Sequence, residues 1–265
     1  MSTKPKAATN VPVLMYHRVD MHQHDKDMLC VSPGQFESHL DWLAMNDYQP
    51  CSAADFEAWF ANGKALPERS VLITFDDGYA SLHEHALAQL AVRGWPATVF
   101  LVSELIGRHD EWRPITPDSP KRLPLLGRAH IAEMARHGFD FQSHSRTHAD
   151  LPTLADDALR TQILSSREDL QALLGTAVHY FAYPFGRFDE RVQRAVDAAG
   201  YRLAFSVRSG FNHAGVDRLA LRRLDITRLD SRARFGRKVS LGTNDGSLSA
   251  HWRYLAGRLR ARLTP

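Results

Sequence analysis

Cysteine is scarce in this sequence of 265 residues, which contains only Cys30 and Cys51. The two lie in different segments and do not form a CxxC pair, which argues against a zinc knuckle and against a disulfide framework. We therefore expect two reduced thiols, as is usual in the cytosol. An excess of one charge is also lacking, because 33 basic and 30 acidic side chains leave a net charge of +3. General nucleic-acid binders usually carry a strong basic excess, so no nucleic-acid partner is predicted.

Long apolar segments are missing as well. No stretch approaches the roughly 20 apolar residues of a membrane span. Residues 1–10 have a positive start without a following apolar region, so they do not resemble a secretory signal and are predicted to be a flexible N-terminus. These features predict a cytoplasmic protein.

The C-terminal segment, residues 236–265, is predicted to form a basic tail or helix behind a catalytic domain at residues 11–235. Within it, residues 247–265 interleave apolar side chains such as Trp252 and Tyr254 with arginines. A helix that packs on the domain is the favoured interpretation. The alternative is peripheral contact with the anionic inner membrane surface, close to lipid-linked glycans.

Short apolar runs alternate with amphipathic helical patterns along the chain. Such alternation is typical of α/β proteins with a mostly parallel sheet. About seven strands are predicted, enough for a (β/α)7 barrel: residues 11–15, 70–75, 97–102, 139–141, 180–182, 202–205 and 219–226. Helices are predicted over residues 34–45, 81–92, 155–174 and 189–199. Residues 104–128 are rich in proline, charge and glycine, and we expect a long surface loop that shapes a cleft.

Polar clusters follow four of these strands, at the edge where barrels assemble active sites. One cluster holds two adjacent carboxylates, Asp76 and Asp77, which suggests that one binds a metal and the other accepts a proton. A helix cap or a turn is the alternative explanation for these two residues. Another cluster holds His144 and His148, four residues apart. Two imidazoles and one carboxylate leave a metal position open for water, as in catalytic zinc sites, although an exposed turn is an alternative for the histidines alone.

Three motifs in this order resemble those of the polysaccharide deacetylases, carbohydrate esterase family four, which includes the chitin deacetylases. They are TFDDG at 74–78, SHSRTH at 143–148 and AYPFG at 182–186, and the resemblance extends over residues 11–225. It implies a distorted (β/α) barrel and a metal-dependent hydrolase that removes N-acetyl groups from a glycan or a lipid-linked sugar and releases acetate, as in exopolysaccharide biosynthesis. It also implies Zn²⁺ as the default metal, with Fe²⁺, Co²⁺ or Ni²⁺ as alternatives.

The resemblance carries roles over to individual positions. It implies that Asp76 is the general base and that Asp77, His144 and His148 hold the metal. The backbone N–H of Phe185 is expected to stabilise the oxyanion. Substrate binding is assigned to the third motif, residues Tyr183, Pro184 and Phe185.

Two departures from the family pattern have candidate replacements. Ala182 stands where many members carry an arginine that orients the base, and no late histidine motif is present. Tyr16-His17 resembles the early motif of the poly-N-acetylglucosamine deacetylase branch, which implies that His17 protonates the leaving amine. Arg223 lies in a late strand and resembles the arginine of that branch, which makes it the favoured partner of Asp76. Arg222 is the competitor, because side chains alternate along a strand and only one of the two can face the site.

Two other functions remain open from the sequence. An amidase with the same fold could act on a cyclic amide or imide, since fold does not determine substrate. A catalytically silent glycan-binding protein is the other alternative. Aromatic side chains such as Trp112, Phe185 and Phe188 could stack on sugars or simply pack in the protein.

Overall fold

A curled sheet of parallel strands forms the centre of the computed structural model, which describes residues 7–21, 27–117 and 119–249. The strands are β1 (Val13–Tyr16), β2 (Arg18–Val19), β3 (Cys30–Val31), β4 (Gln49–Pro50), β5 (Ser70–Phe75), β6 (Ala97–Leu101), β7 (Phe139–Ser143), β8 (Tyr180–Ala182), β9 (Leu203–Phe205) and β10 (Leu224–Asp225). Along the sheet the order is β10-β1-β5-β6-β7-β8-β9, with β4 paired to β5 and with β2 and β3 forming a separate pair. All of these pairs are parallel.

The segment that contains β10 contacts both edges of the sheet. Leu224 is in register with Leu14 of β1, and Leu221 forms a parallel bridge to Phe205 of β9. The sheet therefore closes on itself in the manner of a distorted (β/α) barrel, and the predicted fold class is confirmed. The strand predicted over 219–226 is wrong in length, because residues 222 and 223 cross between the two edges and only Leu224–Asp225 pair as a strand.

Helices cover the outside of the sheet. They are α1 (Pro33–Met45), α2 (Ala53–Asn62), α3 (Ser81–His85), α4 (Leu87–Ala91), α5 (Arg128–Arg136), α6 (Asp156–Arg160), α7 (Ser166–Leu174), α8 (Glu190–Ala198) and α9 (Arg232–Leu241). A π-helical turn over Thr161–Ser165 joins α6 to α7. The prediction of one helix over 81–92 is wrong in its continuity, since the chain breaks at Ala86, where φ is −97°. Helices α2 and α5 were not predicted, and α9 begins four residues before the tail or helix predicted over 236–265 and ends inside it.

Sequence signals explain where the best-defined helix begins. The Ser32 hydroxyl accepts a hydrogen bond from the N–H of Gln35 at 3.2 Å, and Pro33 occupies the first helical position. Proline is favoured there because its missing N–H would be unpaired in any case. Phe36, Leu40 and Leu43 then bury one face of α1 against the sheet.

Helix α9 packs against α1, and the predicted domain boundary at 235/236 lies inside it. The ring of Phe235 stacks on His39, with 4.2 Å between centroids. A Cβ atom on Gly236 would lie 2.5 Å from the Trp42 ring, so only glycine permits this approach. The predicted packing of the tail on the domain, or its contact with the membrane, concerns mainly residues 250–265, which lie outside the described residues. None of the helices described is long and apolar enough to cross a membrane.

Candidate metal-dependent active site

Two adjacent carboxylates leave the end of β5 in different directions. Asp77 adopts a left-handed backbone with φ of 72°, followed by Gly78 at 74°. Adjacent side chains point apart on an extended strand, and this turn separates the two carboxylates further. A Cβ atom on Gly78 would lie 2.6 Å from Leu101 Cδ2, so a side chain at this position is blocked as well as strained. Asp76 consequently faces Arg223, whereas Asp77 faces the histidines.

The two histidines follow β7 and meet the second carboxylate. The Nε2 atoms of His144 and His148 lie 3.4 and 3.3 Å from Asp77 Oδ1. The three ligand atoms lie within 4.8 Å of one another, and all three side chains are buried. Within the described part of the chain this is the one cluster of three such side chains that meets so closely. The predicted convergence is therefore present in the structure.

The arrangement of protons in this cluster suits a divalent cation. His144 Nδ1 donates to the carbonyl of Ala182 at 2.8 Å, so the neutral imidazole has its lone pair on Nε2, on the side of Asp77. Asp77 Oδ1 is buried and has no hydrogen-bond partner among residues 7–21, 27–117 and 119–249. Burial by itself would raise the pKa of Asp77, but positive charge beside it, here that of His144 and His148 when protonated, holds it well below the usual carboxyl value. A buried carboxylate that is ionised in this way favours a positive ion beside it.

Left-handed backbone is concentrated around this cluster. Five non-glycine residues of the described chain have positive φ, and four belong to the three motifs: Asp77, Ser145, His148 and Phe185. Such conformations cost about 1–3 kcal/mol each and persist where the surrounding structure enforces them. The motif loops therefore depend on the barrel for their shape.

Asp76 is held by an arginine from the opposite end of the chain. Arg223 Nη1 and Nη2 donate to Asp76 Oδ1 and Oδ2 at 2.6 and 2.8 Å. Burial alone would raise the pKa of Asp76, but the Arg223 guanidinium, with His144, keeps it below the usual value. Arg222 faces away, with its Cδ over Gly210. The structure thus pairs Asp76 with the favoured arginine.

His17 reaches the same cavity from β1. Residues Tyr16 and Phe75 are in register, and the N–H of Asp76 donates to the carbonyl of Tyr16 at 2.9 Å. The positive charge of a protonated His17 would contribute to lowering the pKa of Asp76. Its Nδ1 atom is buried without a hydrogen-bond partner in the described residues. His17 is therefore placed to exchange a proton within the cavity.

The cavity has a volume of about 590 Å³ and is lined by Asp76, Asp77, His144, His148 and His17 together with rim residues. Trp112, from the loop predicted over 104–128, stacks on His148 with 4.4 Å between centroids. Phe185 meets the same imidazole edge-on, also at 4.4 Å, and remains 53% exposed. One wall is thus aromatic and partly open to solvent.

The other predicted substrate-binding residues are more enclosed. Tyr183 is 1% exposed, and its hydroxyl donates to the carbonyl of Leu219 at 2.8 Å. Its ring stacks on Phe188 at 4.4 Å, and Phe188 is half-buried and does not line the cavity. Pro184 is buried next to Tyr183. Substrate contacts by Tyr183 and Pro184 stay predictions.

Several rim residues were not predicted. Arg18, Asp27 and Arg113 line the cavity, and Arg18 Nη2 lies 2.9 Å from Asp27 Oδ2. Asp110 fixes the loop beneath Trp112 by accepting from the N–H of Leu123 at 2.6 Å. Arg18 directly follows His17, which is the one signal in the sequence that could have drawn attention to it.

The fold and the site define a barrel protein with a candidate Asp-His-His metal site and a second buried carboxylate, Asp76, in the same cavity. A family model for polysaccharide deacetylases matches residues 63–204, just over half of the sequence. The chain belongs to the polysaccharide deacetylase family. The predicted family and the predicted class of enzyme, a hydrolytic deacetylase acting on amide bonds, are confirmed.

Named relatives extend this likeness. YxkH of Bacillus subtilis, which carries the polysaccharide deacetylase name, is 27% identical over 233 residues, 88% of this chain and 77% of the relative. The poly-β-1,6-N-acetyl-D-glucosamine N-deacetylase of Escherichia coli is 22% identical over 81% of this chain, and the match spans only 36% of that longer protein. Among solved structures, a Bacillus cereus polysaccharide deacetylase, BC0361, matches with a TM-score of 0.72 and 26% identity, over 87% of this chain and 69% of that one. The Streptococcus pyogenes deacetylase PplD shares the fold, with a TM-score of 0.74 and 22% identity over 86% and 96% of the two chains.

Proposed function

We propose that this protein removes N-acetyl groups from a β-1,6-linked N-acetylglucosamine polymer and releases acetate. The observation that carries the proposal is the meeting of Asp76 with Asp77, His144 and His148 in one cavity. The linkage is supported by the E. coli relative, whose name specifies that polymer. The resemblance of Tyr16-His17 to the early motif of the poly-N-acetylglucosamine deacetylase branch supports the same substrate.

Asp77, His144 and His148 are the residues that would hold the metal, and we propose Zn²⁺. A His₂-carboxylate set with open positions also accepts Fe²⁺, Co²⁺ or Ni²⁺, so metal analysis has to include them. When bound, a divalent metal lowers the pKa of a water molecule and polarises the carbonyl that it attacks.

Asp76 takes the proton of the attacking water in this mechanism. Its carboxylate is ionised because Arg223 holds its pKa below the usual value. The water oxygen bonds to the acetamide carbon, and the carbonyl oxygen becomes an oxyanion. We assign the Phe185 N–H as a donor to that oxyanion, a contribution worth about 3 kcal/mol in comparable sites.

His17 completes the reaction by donating a proton to the amide nitrogen as the C–N bond breaks. Protonation is needed because an amide nitrogen leaves poorly as an anion. The products are acetate and a free amine on the sugar. We further propose that Trp112 and Phe185 contact the sugar ring, because both lie beside His148 at the cavity wall.

The experiment that tests the function measures acetate release by the zinc-loaded protein. The substrates are β-1,6-linked N-acetylglucosamine oligomers, chitin oligomers of the same length, and a cyclic imide. We expect release from the β-1,6-linked oligomers above that from chitin, and release at least about 100-fold slower with Asp76→Asn as the control. Hydrolysis of the imide alone would support the non-sugar amidase, and no hydrolysis of any substrate would support a silent binding protein.

Three further expectations remain proposals. A lipid-linked sugar substrate and contact of residues 247–265 with the inner membrane surface are related, because a tail on the membrane would bring the cavity near such sugars. Flotation of the protein with anionic liposomes, with and without residues 247–265, tests the contact. A cytoplasmic location would be tested by fractionation of cells that produce the full chain.

A further inference from the structure

The helical segment between Asp156 and Leu174 contains a wide turn near the metal cluster. Thr161–Ser165 form a π-helical turn between α6 and α7. The carbonyl of Ile163 in this turn accepts the hydroxyl of Tyr201 at 3.1 Å. Single π-helical turns are frequent at functional sites.

Gln162, in this turn, binds the loop between the two histidines. Its Oε1 atom accepts the N–H groups of Arg146 and Thr147 at 3.2 and 2.9 Å. Its Nε2 atom donates to Thr147 Oγ1 at 2.9 Å. One side chain thus makes three hydrogen bonds to the two central residues of the loop 144–148, which we call the ligand loop.

The ligand loop has a shape that ordinary backbone preferences do not maintain. Ser145 and His148 have φ of 66° and 61°, and both flank the residues that Gln162 holds. Other residues hold the carbonyl groups of this loop. The N–H groups of Ser103 and Glu104 donate to the carbonyls of Ser145 and Arg146 at 3.2 and 3.0 Å. Gln162 provides the acceptor for the N–H groups of the loop, those of Arg146 and Thr147. Without it, two N–H groups in a half-buried loop lose their partner, which favours a different backbone path.

We propose that Gln162 is a positioning residue that sets the distance between the Nε2 atoms of His144 and His148 and thereby the affinity for the metal. The inference rests on the proposed metal site and goes beyond it, because Gln162 contacts neither Asp77 nor the imidazoles. Residues that hydrogen-bond a metal ligand typically change metal affinity 10- to 100-fold when they are replaced, and Gln162 holds the backbone that joins two such ligands.

The test measures Zn²⁺ affinity of the metal-free full chain by competition with a chromophoric chelator. Gln162→Met keeps length and helix propensity but removes the acceptor, and we expect about 10- to 100-fold weaker binding. Gln162→Glu keeps an acceptor for both N–H groups and is expected to restore most of the affinity. Gln171→Met is the matched control, because Gln171 lies in α7 and its Oε1 accepts the N–H of Val178 at 3.3 Å, away from the ligand loop. It is expected to bind Zn²⁺ as the wild type does.

The outcomes separate this inference from the proposed function. Wild-type affinity in Gln162→Met, or an equal loss in Gln171→Met, would overturn the positioning role while the metal site stands. Failure of the wild type to bind Zn²⁺ or any of the alternative metals would overturn both. If Gln162→Met does not fold, Gln162→Asn gives the second test, since its shorter side chain cannot reach both N–H groups and weaker binding is again expected.

Discussion

Arg223 and Asp76 form two parallel hydrogen bonds of 2.6 and 2.8 Å, although 147 positions separate them in the sequence. The Arg223 side chain is fully buried and that of Asp76 is 3% exposed. Charge-assisted pairs with this geometry are strong and fix direction as well as distance. The guanidinium therefore sets both the orientation and the charge of the proposed base.

Arg223→Gln is expected to raise the pKa of Asp76, because burial would then act without the opposing guanidinium. The base works only when ionised, so the acidic limb of the pH profile of kcat/KM should move to higher pH. Breaking a buried pair on one side also costs about 3–5 kcal/mol of stability. The measurement is kcat/KM between pH 4 and 9, on protein whose folding has been checked by circular dichroism. Arg222→Gln is the matched control, and an unmoved acidic limb in Arg223→Gln would contradict the assignment.

Asp76→Asn is expected to retain zinc and to lose about 10²- to 10⁴-fold in kcat, the usual contribution of a general base. Asp77→Asn is expected to lose zinc instead, because its oxygen faces both Nε2 atoms. Metal content and acetate release are measured on the same preparations. Full activity in Asp76→Asn at equal zinc content would refute the division of roles between the two carboxylates.

His17→Gln is expected to slow deacetylation of the sugar amide about 10²- to 10⁴-fold, with zinc unchanged. An aryl acetate ester should be affected much less, because a phenolate leaves without prior protonation. The ratio of the two rates therefore reports the role of His17 as the proton donor. His213→Gln is the control, since His213 is exposed and lies outside the cavity lining. An equal loss on both substrates would indicate a structural role.

His39 is expected to make stability depend on pH. Its ring is fully buried beneath α9, the Tyr16 hydroxyl lies 3.1 Å from Nδ1, and Nε2 donates to the carbonyl of Asp230. Burial lowers the pKa of His39 from 6.5 to about 4. The unfolded chain therefore takes up the proton first as the pH falls. The stabilising contribution is complete above about pH 6.5 and is lost towards pH 4, with a limit of about 3 kcal/mol.

Urea denaturation followed by tryptophan fluorescence at pH 4 to 7 measures this dependence. His39→Gln should be less stable at pH 7 and show a flatter decline towards pH 4. His213→Gln serves as the control, because an exposed imidazole is not desolvated. A decline as steep as that of the wild type in His39→Gln would assign the effect to other groups.

The metal cluster could be predicted because parallel strands bring their carboxyl ends to one edge of the sheet. That rule predicted that the Asp76-Asp77 pair meets His144 and His148, although 67 positions separate Asp77 from the nearer histidine, and the family resemblance assigned Asp77 to the metal. For the arginine that pairs with Asp76, the sequence left two adjacent candidates, Arg222 and Arg223. Alternation along a strand says that Arg222 and Arg223 face opposite sides, but not which side is the interior.

Other features depend on contacts that leave no local pattern. Gln162 is an ordinary polar residue in a helical sequence. Its contact with the ligand loop depends on the extra residue in the π-helical turn. The break at Ala86 interrupts a run that has good helix formers on both sides. The crossing of residues 222 and 223 between two sheet edges follows from closure of the barrel, which no short window of sequence contains.

The parallel pairing of β10 with β1 places the two flanks of the chain side by side at the catalytic edge. His17 precedes residues 63–204 and Arg223 follows them, whereas all three proposed metal ligands lie inside that range. Catalysis therefore needs both flanks of the chain, although neither contributes a proposed metal ligand. A chain that lacks either flank loses His17 or Arg223 together with a strand of the barrel, and it is expected not to turn over substrate.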